Sequence, residues 1–412
     1  MKYDVLLPRI HIHMNRFSSF FRKPLWRDNR LLLALWLAVA VAGSLIKGLR
    51  GSYNNYLIFK GTFFHALDGL TLFGSYPAEY ADSNHYGPLF SLFIAPFALM
   101  TDVVGITALM VLCTLALYFS VRSLPLDDGK KAFVLWFTLN ELFTAVAMQQ
   151  LNILVAAGII LSFSLIERER DFWAAFFIVL MTLIKLYGIV GLAFFFFSRH
   201  KMRLVLSMLF WGVALFVAPM AISSPGYVVS QYAAWIADIG SKNGDNLMSL
   251  YQNISLLGIV RKVSGGTYSD LWVIIPGLVL FTGPYFRVSA WRSLSFRLSM
   301  LASVLLFVVL FSTGSESSSY IIALTGAALW WTITPTGHTP LNNALIIFAF
   351  VLTSLSPTDI FPRAIREGYI LPYALKALPC ALIWLKLTWE MWRCRYDSGH
   401  SPAYLQGFTP VP

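Results

Sequence analysis

Leu31-Leu-Leu-Ala-Leu-Trp-Leu-Ala-Val-Ala-Val-Ala-Gly-Ser-Leu45 is an apolar run without a single charge. A helix needs about 20 such residues to cross a bilayer. Runs of this kind recur along the chain as far as about Leu387. They are continuous rather than alternating, which argues against a membrane barrel. Inside hydrocarbon the backbone must satisfy its own hydrogen bonds, so helices are the remaining solution. The fold class expected is an all-α polytopic membrane protein.

Composition points the same way. Of 412 residues, 57% are hydrophobic and only 12% charged, against roughly 25% charged in a soluble domain. The net charge is +11, but most basic residues sit in short loops between apolar runs, so no nucleic-acid partner is expected. Membrane lipids are the expected surroundings. Cys113, Cys380 and Cys394 show no metal-ligand spacing and no disulfide framework. The chain has no Walker loop, no dinucleotide fingerprint and no His-Glu-x-x-His helix, and Ser224-Pro-Gly226 is no nucleophile elbow. No cofactor and no metal are expected.

Basic residues set the orientation. Arg9, Arg16, Arg22, Lys23, Arg27 and Arg30 precede the first run, which puts the N-terminus in the cytoplasm. The run has no convincing cleavage site after it and reads as a retained helix. About twelve crossings follow, near 31–48, 104–122, 132–148, 153–166, 172–184, 187–197, 203–222, 271–287, 297–312, 320–333, 342–355 and 371–388. Residues 1–30 then form a cytoplasmic basic segment, 31–390 one multi-pass domain, and 391–412 a cytoplasmic tail. Pro88 to Met100 is apolar but too short to cross, and reads as a re-entrant helix. Two long segments remain outside, near 47–86 and 223–270, a plausible roof over a cavity. In the first, Tyr56, Phe59, Phe63, Leu67 and Leu70 recur at helical spacing, which predicts an amphipathic helix on the outer membrane surface over 55–72. No internal repeat is evident.

Polar groups gather at the outer ends of these runs. The densest cluster is Tyr80-Ala-Asp-Ser-Asn-His-Tyr-Gly-Pro88. Asp82 can take a proton, and His85 can move one near neutral pH. The same residues also make an ordinary turn. Asn54 and Asn55 can bind sugar hydroxyls or cap the following helix. Gln149-Gln-Leu-Asn152 and Ser315-Glu-Ser-Ser-Ser-Tyr320 lie at other outer junctions. Glu141 and Lys185 are ionisable groups within apolar surroundings, where charge is costly. Lys185 can hold a lipid phosphate or snorkel to the interface. Lys376 and Lys386 flank the last run and read as snorkelling side chains.

Several short motifs follow one another in a familiar order. They are Tyr53-Asn-Asn-Tyr-Leu-Ile-Phe59, Ser75-Tyr-Pro-Ala-Glu-Tyr80, His85-Tyr-Gly-Pro-Leu-Phe90, Ala95-Pro-Phe-Ala-Leu99, Gln149-Gln-Leu-Asn152 and Ile184-Lys-Leu-Tyr187. Together they resemble glycosyltransferase family 87, along most of the chain. The resemblance implies a GT-C-type bundle. It implies transfer of a mannose-like hexose from a polyprenyl-phosphate sugar donor to a hydroxyl of a lipid or glycan acceptor. That step inverts the anomeric carbon on the outer face of the cytoplasmic membrane. The family usually carries its acidic base just after the first span, where this sequence has Asn54 and Asn55. Asp82, in the same loop beside His85, is then the expected base, ahead of Glu79 and Asp68. His85 and Lys185 are expected on the phosphate side. Tyr53, Asn54, Asn55, Glu79, Tyr86, Gln150, Asn152 and Glu316 complete the expected substrate site. A transporter of lipid-linked sugars, or an inactive binding relative, is the alternative, but few polar residues mark a path through the bilayer.

Overall fold

The computed structural model describes residues 24–266 and 268–396, so Arg9, Arg16, Arg22, Lys23 and the tail from 397 lie outside the described residues. Among the described residues the chain is all-helical. The first five α-helices are α1 Asn29–Leu49, α2 Asn54–Asp68, α3 Leu89–Ala98, α4 Asp102–Ser123 and α5 Asp128–Ala147. Next come α6 Asn152–Glu167, α7 Asp171–Ile184, α8 Lys201–Val217, α9 Pro225–Asn246 and α10 Leu256–Ser264. Setting aside the single turn Arg363–Ile365, the last five are α11 Leu271–Thr282, α12 Leu294–Leu310, α13 Tyr320–Ile333, α14 Pro340–Phe348 and α15 Leu378–Arg393.

Local chemistry starts and stops these helices. Asp28 accepts from the backbone N–H of Arg30 at 2.7 Å, and Asp127 from that of Lys130 at 2.9 Å. Ser224 and Thr339 cap α9 and α14, each followed by a proline at the first helical position, where the missing N–H costs nothing. Inside the bundle, α12 lies against α13, α7 against α8, and α4 against both α1 and α6. One hydrophobic core runs through them from Leu32 to Met391.

Each expected crossing contains a helix, but few reach spanning length. Three helices are long and apolar enough to cross, α1, α4 and Lys201–Ala221, or four if one bent pair counts as a single span. The others are shorter. Residues 186–197 form a 12-residue 3-10 helix. With a rise of about 2.0 Å per residue, it extends about 24 Å, further than an α-helix of equal length. The last crossing, expected over 371–388, is instead a break followed by a helix. Arg363–Ile370 meets Leu375–Arg393 at 91°, and Ala374 at the break adopts a left-handed φ of 54°.

The predicted surface helix is α2, and it ends at Asp68 rather than near residue 72, because Gly69 turns left-handed there. Its Tyr56, Phe59 and Phe63 are buried while Leu67, and Leu70 just beyond its end, are exposed. Phe59 packs edge-on against Phe90 of α3 at 5.2 Å. The predicted re-entrant helix, α3, has ten residues with Pro96 inside, about 15 Å of helix.

Lys376 and Lys386 do not snorkel. Lys376 Nζ donates to both carboxylate oxygens of Glu141 at 3.2 and 3.3 Å, and to the carbonyl and hydroxyl of Ser317 at 2.9 Å each. Lys386 donates to Glu390 at 2.6 Å. Interior acids capture both amines; Glu390 lies four residues after Lys386 on the same helix and is legible in sequence, whereas Glu141 is far from Lys376 along the chain.

Candidate functional site

At one end of the bundle, α7 stops at Ile184 and Lys185 turns extended before the 3-10 helix begins. The loop after α2 comes up against this break. Gly87 donates its N–H to Ile184 O at 2.9 Å. A Cβ at Gly87 would lie 2.1 Å from Leu183 O and 3.0 Å from the Trp235 ring, so only glycine permits the approach. His85 and Tyr86 are thereby held beside Lys185.

A cavity of about 1220 Å³ opens there. Of the residues expected from sequence, Asn55, Asp82, His85, Tyr86, Gln150, Lys185 and Glu316 line it. Both long loops contribute to its wall, the first through Asp82 to Tyr86 and the second through Trp235, Lys242 and Arg261. A further part of the lining is apolar: Ile189, Val190, Leu271, Ile274, Phe307 and Phe311.

Lys185 Nζ donates to Asn152 Oδ1 at 2.8 Å. It stands 5.5 Å from the Tyr86 ring centroid and 5.0 Å from that of Tyr187. Among the described residues no carboxylate lies within ion-pair distance of it, and Glu316 acts on its charge only from across the cavity. Glu316 faces the same cavity but uses its carboxylate to accept from Ser318 Oγ at 2.8 Å. Asn152 is fully buried and is not part of the lining. It donates to Ser318 Oγ at 2.9 Å and so presents its carbonyl oxygen to the lysine. Tyr86 donates to Gln150 Oε1 at 3.0 Å.

The other polar centre is a row of three groups. His85 Nδ1 donates to Asp238 Oδ2 at 2.8 Å, because a carboxylate can only accept. Its Nε2 lies 3.9 Å from Asp82 Oδ1. Asp82 has a left-handed φ of 72°. Its carboxylate accepts from Ser83 N–H at 2.9 Å and from Lys242 at 3.5 Å. The His85 ring beside it holds the Asp82 carboxyl well below the usual carboxylate range, outweighing burial, with help from the Lys242 charge. Burial opposes charge on His85, but the hydrogen bond to Asp238 and the nearby Asp82 carboxylate outweigh it and raise its pKa.

The remaining expected residues lie away from the cavity lining. Tyr53 donates to Asp102 at 3.2 Å. Asn54 exchanges two hydrogen bonds with the backbone of Ala81, at 2.7 and 2.8 Å, and ties the loop down. Glu79 bonds His65 at 3.1 Å. Asn55, although in the lining, donates to Met148 O at 2.8 Å.

Asp238 escaped the sequence reading. A signal for it existed: Gln231, Trp235, Asp238, Lys242 and Asn246 recur at intervals of three and four, one face of a helix. Arg261 was missed as well. It pairs with Asp270 at 2.6 Å and pins the turn around Gly265 with a bond to Tyr268 O at 2.8 Å. Among the described residues no three His, Cys, Asp or Glu side chains converge to hold a metal ion.

Comparison with known protein families matches residues 84–313, more than half of the chain, to glycosyltransferase family 87. The matched stretch takes in His85, Gln150, Asn152, Lys185 and Asp238, and begins just after Asp82. Comparison with curated proteins returns no match. The chain therefore belongs to glycosyltransferase family 87, and that membership makes it a membrane-embedded glycosyltransferase.

Proposed function

We propose that the protein moves a mannose-like hexose from a polyprenyl-phosphate donor to an acceptor hydroxyl at the outer face of the cytoplasmic membrane, inverting the anomeric carbon. The observation that carries this reading is Lys185, a cation facing a large cavity with one neutral acceptor, two aromatic faces and no carboxylate in direct contact, Glu316 acting on it only across the cavity. Such a group has capacity left for an anion, and a phosphate supplies one. The apolar wall from Ile189 to Phe311 suits a prenyl chain beside that phosphate.

The step balances with the groups present. The acceptor oxygen attacks the anomeric carbon while its proton passes to the Asp82 carboxylate. The bond from that carbon to the phosphate oxygen breaks, and its electron pair leaves with the polyprenyl phosphate. Lys185 stabilises the charge that grows on the departing phosphate. General-base help of this kind is worth about 10²–10⁴-fold. The acceptor is a lipid or a glycan.

The test is sugar transfer by purified protein in lipid, from radiolabelled polyprenyl-phosphate hexoses to host membrane extract. Label should move with the wild type and fall by about 10²-fold or more in Asp82→Asn. Unchanged transfer by that variant removes Asp82 from the role of base. No transfer by the wild type from any donor overturns the reading.

A further inference from the structure

We propose that Asp238 is a positioning residue of the transfer site, which fixes the imidazole of His85 so that Nε2 faces Asp82 and can receive the proton Asp82 takes from the acceptor. This rests on the reading of the cavity as a glycosyl-transfer site.

The geometry comes from helix α9. It grips His85 twice. Trp235 donates its indole N–H to the His85 carbonyl at 3.0 Å. One turn later, Asp238 accepts from Nδ1 at 2.8 Å. These bonds fix both the backbone and the ring. Asp238 is the shielded carboxylate of the two, with its side chain 15% exposed against 60% for Asp82. A shielded carboxylate suits orientation, and an accessible one suits contact with a substrate. With Nδ1–H committed to Asp238, the neutral ring has its lone pair on Nε2. That atom is 3.9 Å from Asp82 Oδ1 and 3.5 Å from Ser83 Oγ.

The proton path then closes. Asp82 takes the acceptor proton and passes it to Nε2, which regenerates the Asp82 carboxylate. His85 becomes an imidazolium between two carboxylates, where charge is favoured. The charged groups around the ring are Asp82 from its own loop and Asp238 and Lys242 from α9. The two acids favour the imidazolium and Lys242 opposes it. The working enzyme starts with His85 neutral, so transfer rises as pH rises through the His85 pKa. Removing the Asp238 charge lowers that pKa and moves the rise to lower pH.

Two readouts test this. The first needs no turnover. Diethylpyrocarbonate acylates only neutral imidazole, and His85, with a side chain 28% exposed, lines the cavity. Acylation of the His85 peptide, followed by mass spectrometry against pH in the full-length protein in lipid, should have its midpoint above that of free histidine. In Asp238→Asn the midpoint should shift to lower pH, and in Asp238→Glu it should stay raised. The second readout is transfer. Asp238→Asn should lower kcat by about 10-fold or more, with the donor KM unchanged and the acid limb moved to lower pH.

A wild-type midpoint at or below that of free histidine overturns the proposal without any variant. So does an Asp238→Asn protein whose midpoint and kcat match the wild type. If the wild type transfers no sugar while the acylation profile shifts as expected, the Asp238–His85 pairing stands and the glycosyl-transfer reading of the cavity fails.

Discussion

Lys185 and Lys376 both lie among apolar helices, and their surroundings are opposite. Lys376 is 4% exposed, and Glu141 opposite it is fully buried. Two carboxylate oxygens, two atoms of Ser317 and the Tyr320 ring at 4.9 Å close around its ammonium. Nothing is left over for a ligand. Lys185 has one amide oxygen, two rings and an open cavity. A charge pair closed on itself ties helices together. A cation with no carboxylate in contact, and only Glu316 acting on it across the cavity, marks where a ligand can bring a closer charge. The two regions are linked, since Ser317 on Lys376 is followed by Ser318, which holds Asn152 against Lys185.

The contrast can be broken most directly at the closed pair. Lys376→Met leaves Glu141 buried and alone, which should cost about 3–5 kcal/mol of stability, read as thermal unfolding in lipid. Replacing both residues, Lys376→Met with Glu141→Leu, should recover most of it. A single variant as stable as the wild type would show that Lys376 is no structural tie.

At Lys185 the expected loss is in chemistry rather than in folding. Lys185→Met should unfold near the wild-type temperature but lose about 10²–10³-fold in transfer. Normal transfer by that variant would remove the lysine from the phosphate. Asn152→Leu sharpens the comparison one step further back. It removes a hydrogen bond to a charged group, worth about 1.5–3 kcal/mol, and should lower transfer roughly 10–100-fold by freeing Lys185. The smallest effect belongs to the cavity rim. Lys242 is bonded to the exposed Asp82 at 3.5 Å, and such pairs are worth about 0–1 kcal/mol. Lys242→Ala should change transfer less than about 5-fold, and a larger loss would place Lys242 on the substrate.

Much of the site was legible because its parts sit at helix ends. Asp82, His85 and Tyr86 precede α3, Gln150 and Asn152 open α6, Lys185 follows α7, and Glu316 precedes α13. Apolar runs of similar kind bring their polar ends to one level, so residues distant in sequence meet around one cavity. Neighbours within one loop were a poorer guide. Tyr53, Asn54 and Glu79 share the first long loop with His85, yet their side chains are spent on Asp102, Ala81 and His65. Which way a loop side chain points depends on what packs behind it.

The apolar runs by themselves determined that this chain folds as membrane-embedded helices, because burial of so much hydrocarbon surface leaves no other arrangement for the backbone. The ordered motifs likewise sufficed for the family, and the match over 84–313 agrees with them. Only the tertiary structure decided which charges answer one another. Glu141 and Lys376 lie 235 positions apart, and His85 and Asp238 lie 153 apart. Hydropathy follows composition along one segment, whereas an ion pair is a property of two segments brought together, and in an apolar interior that pairing separates a structural charge from one left for a ligand.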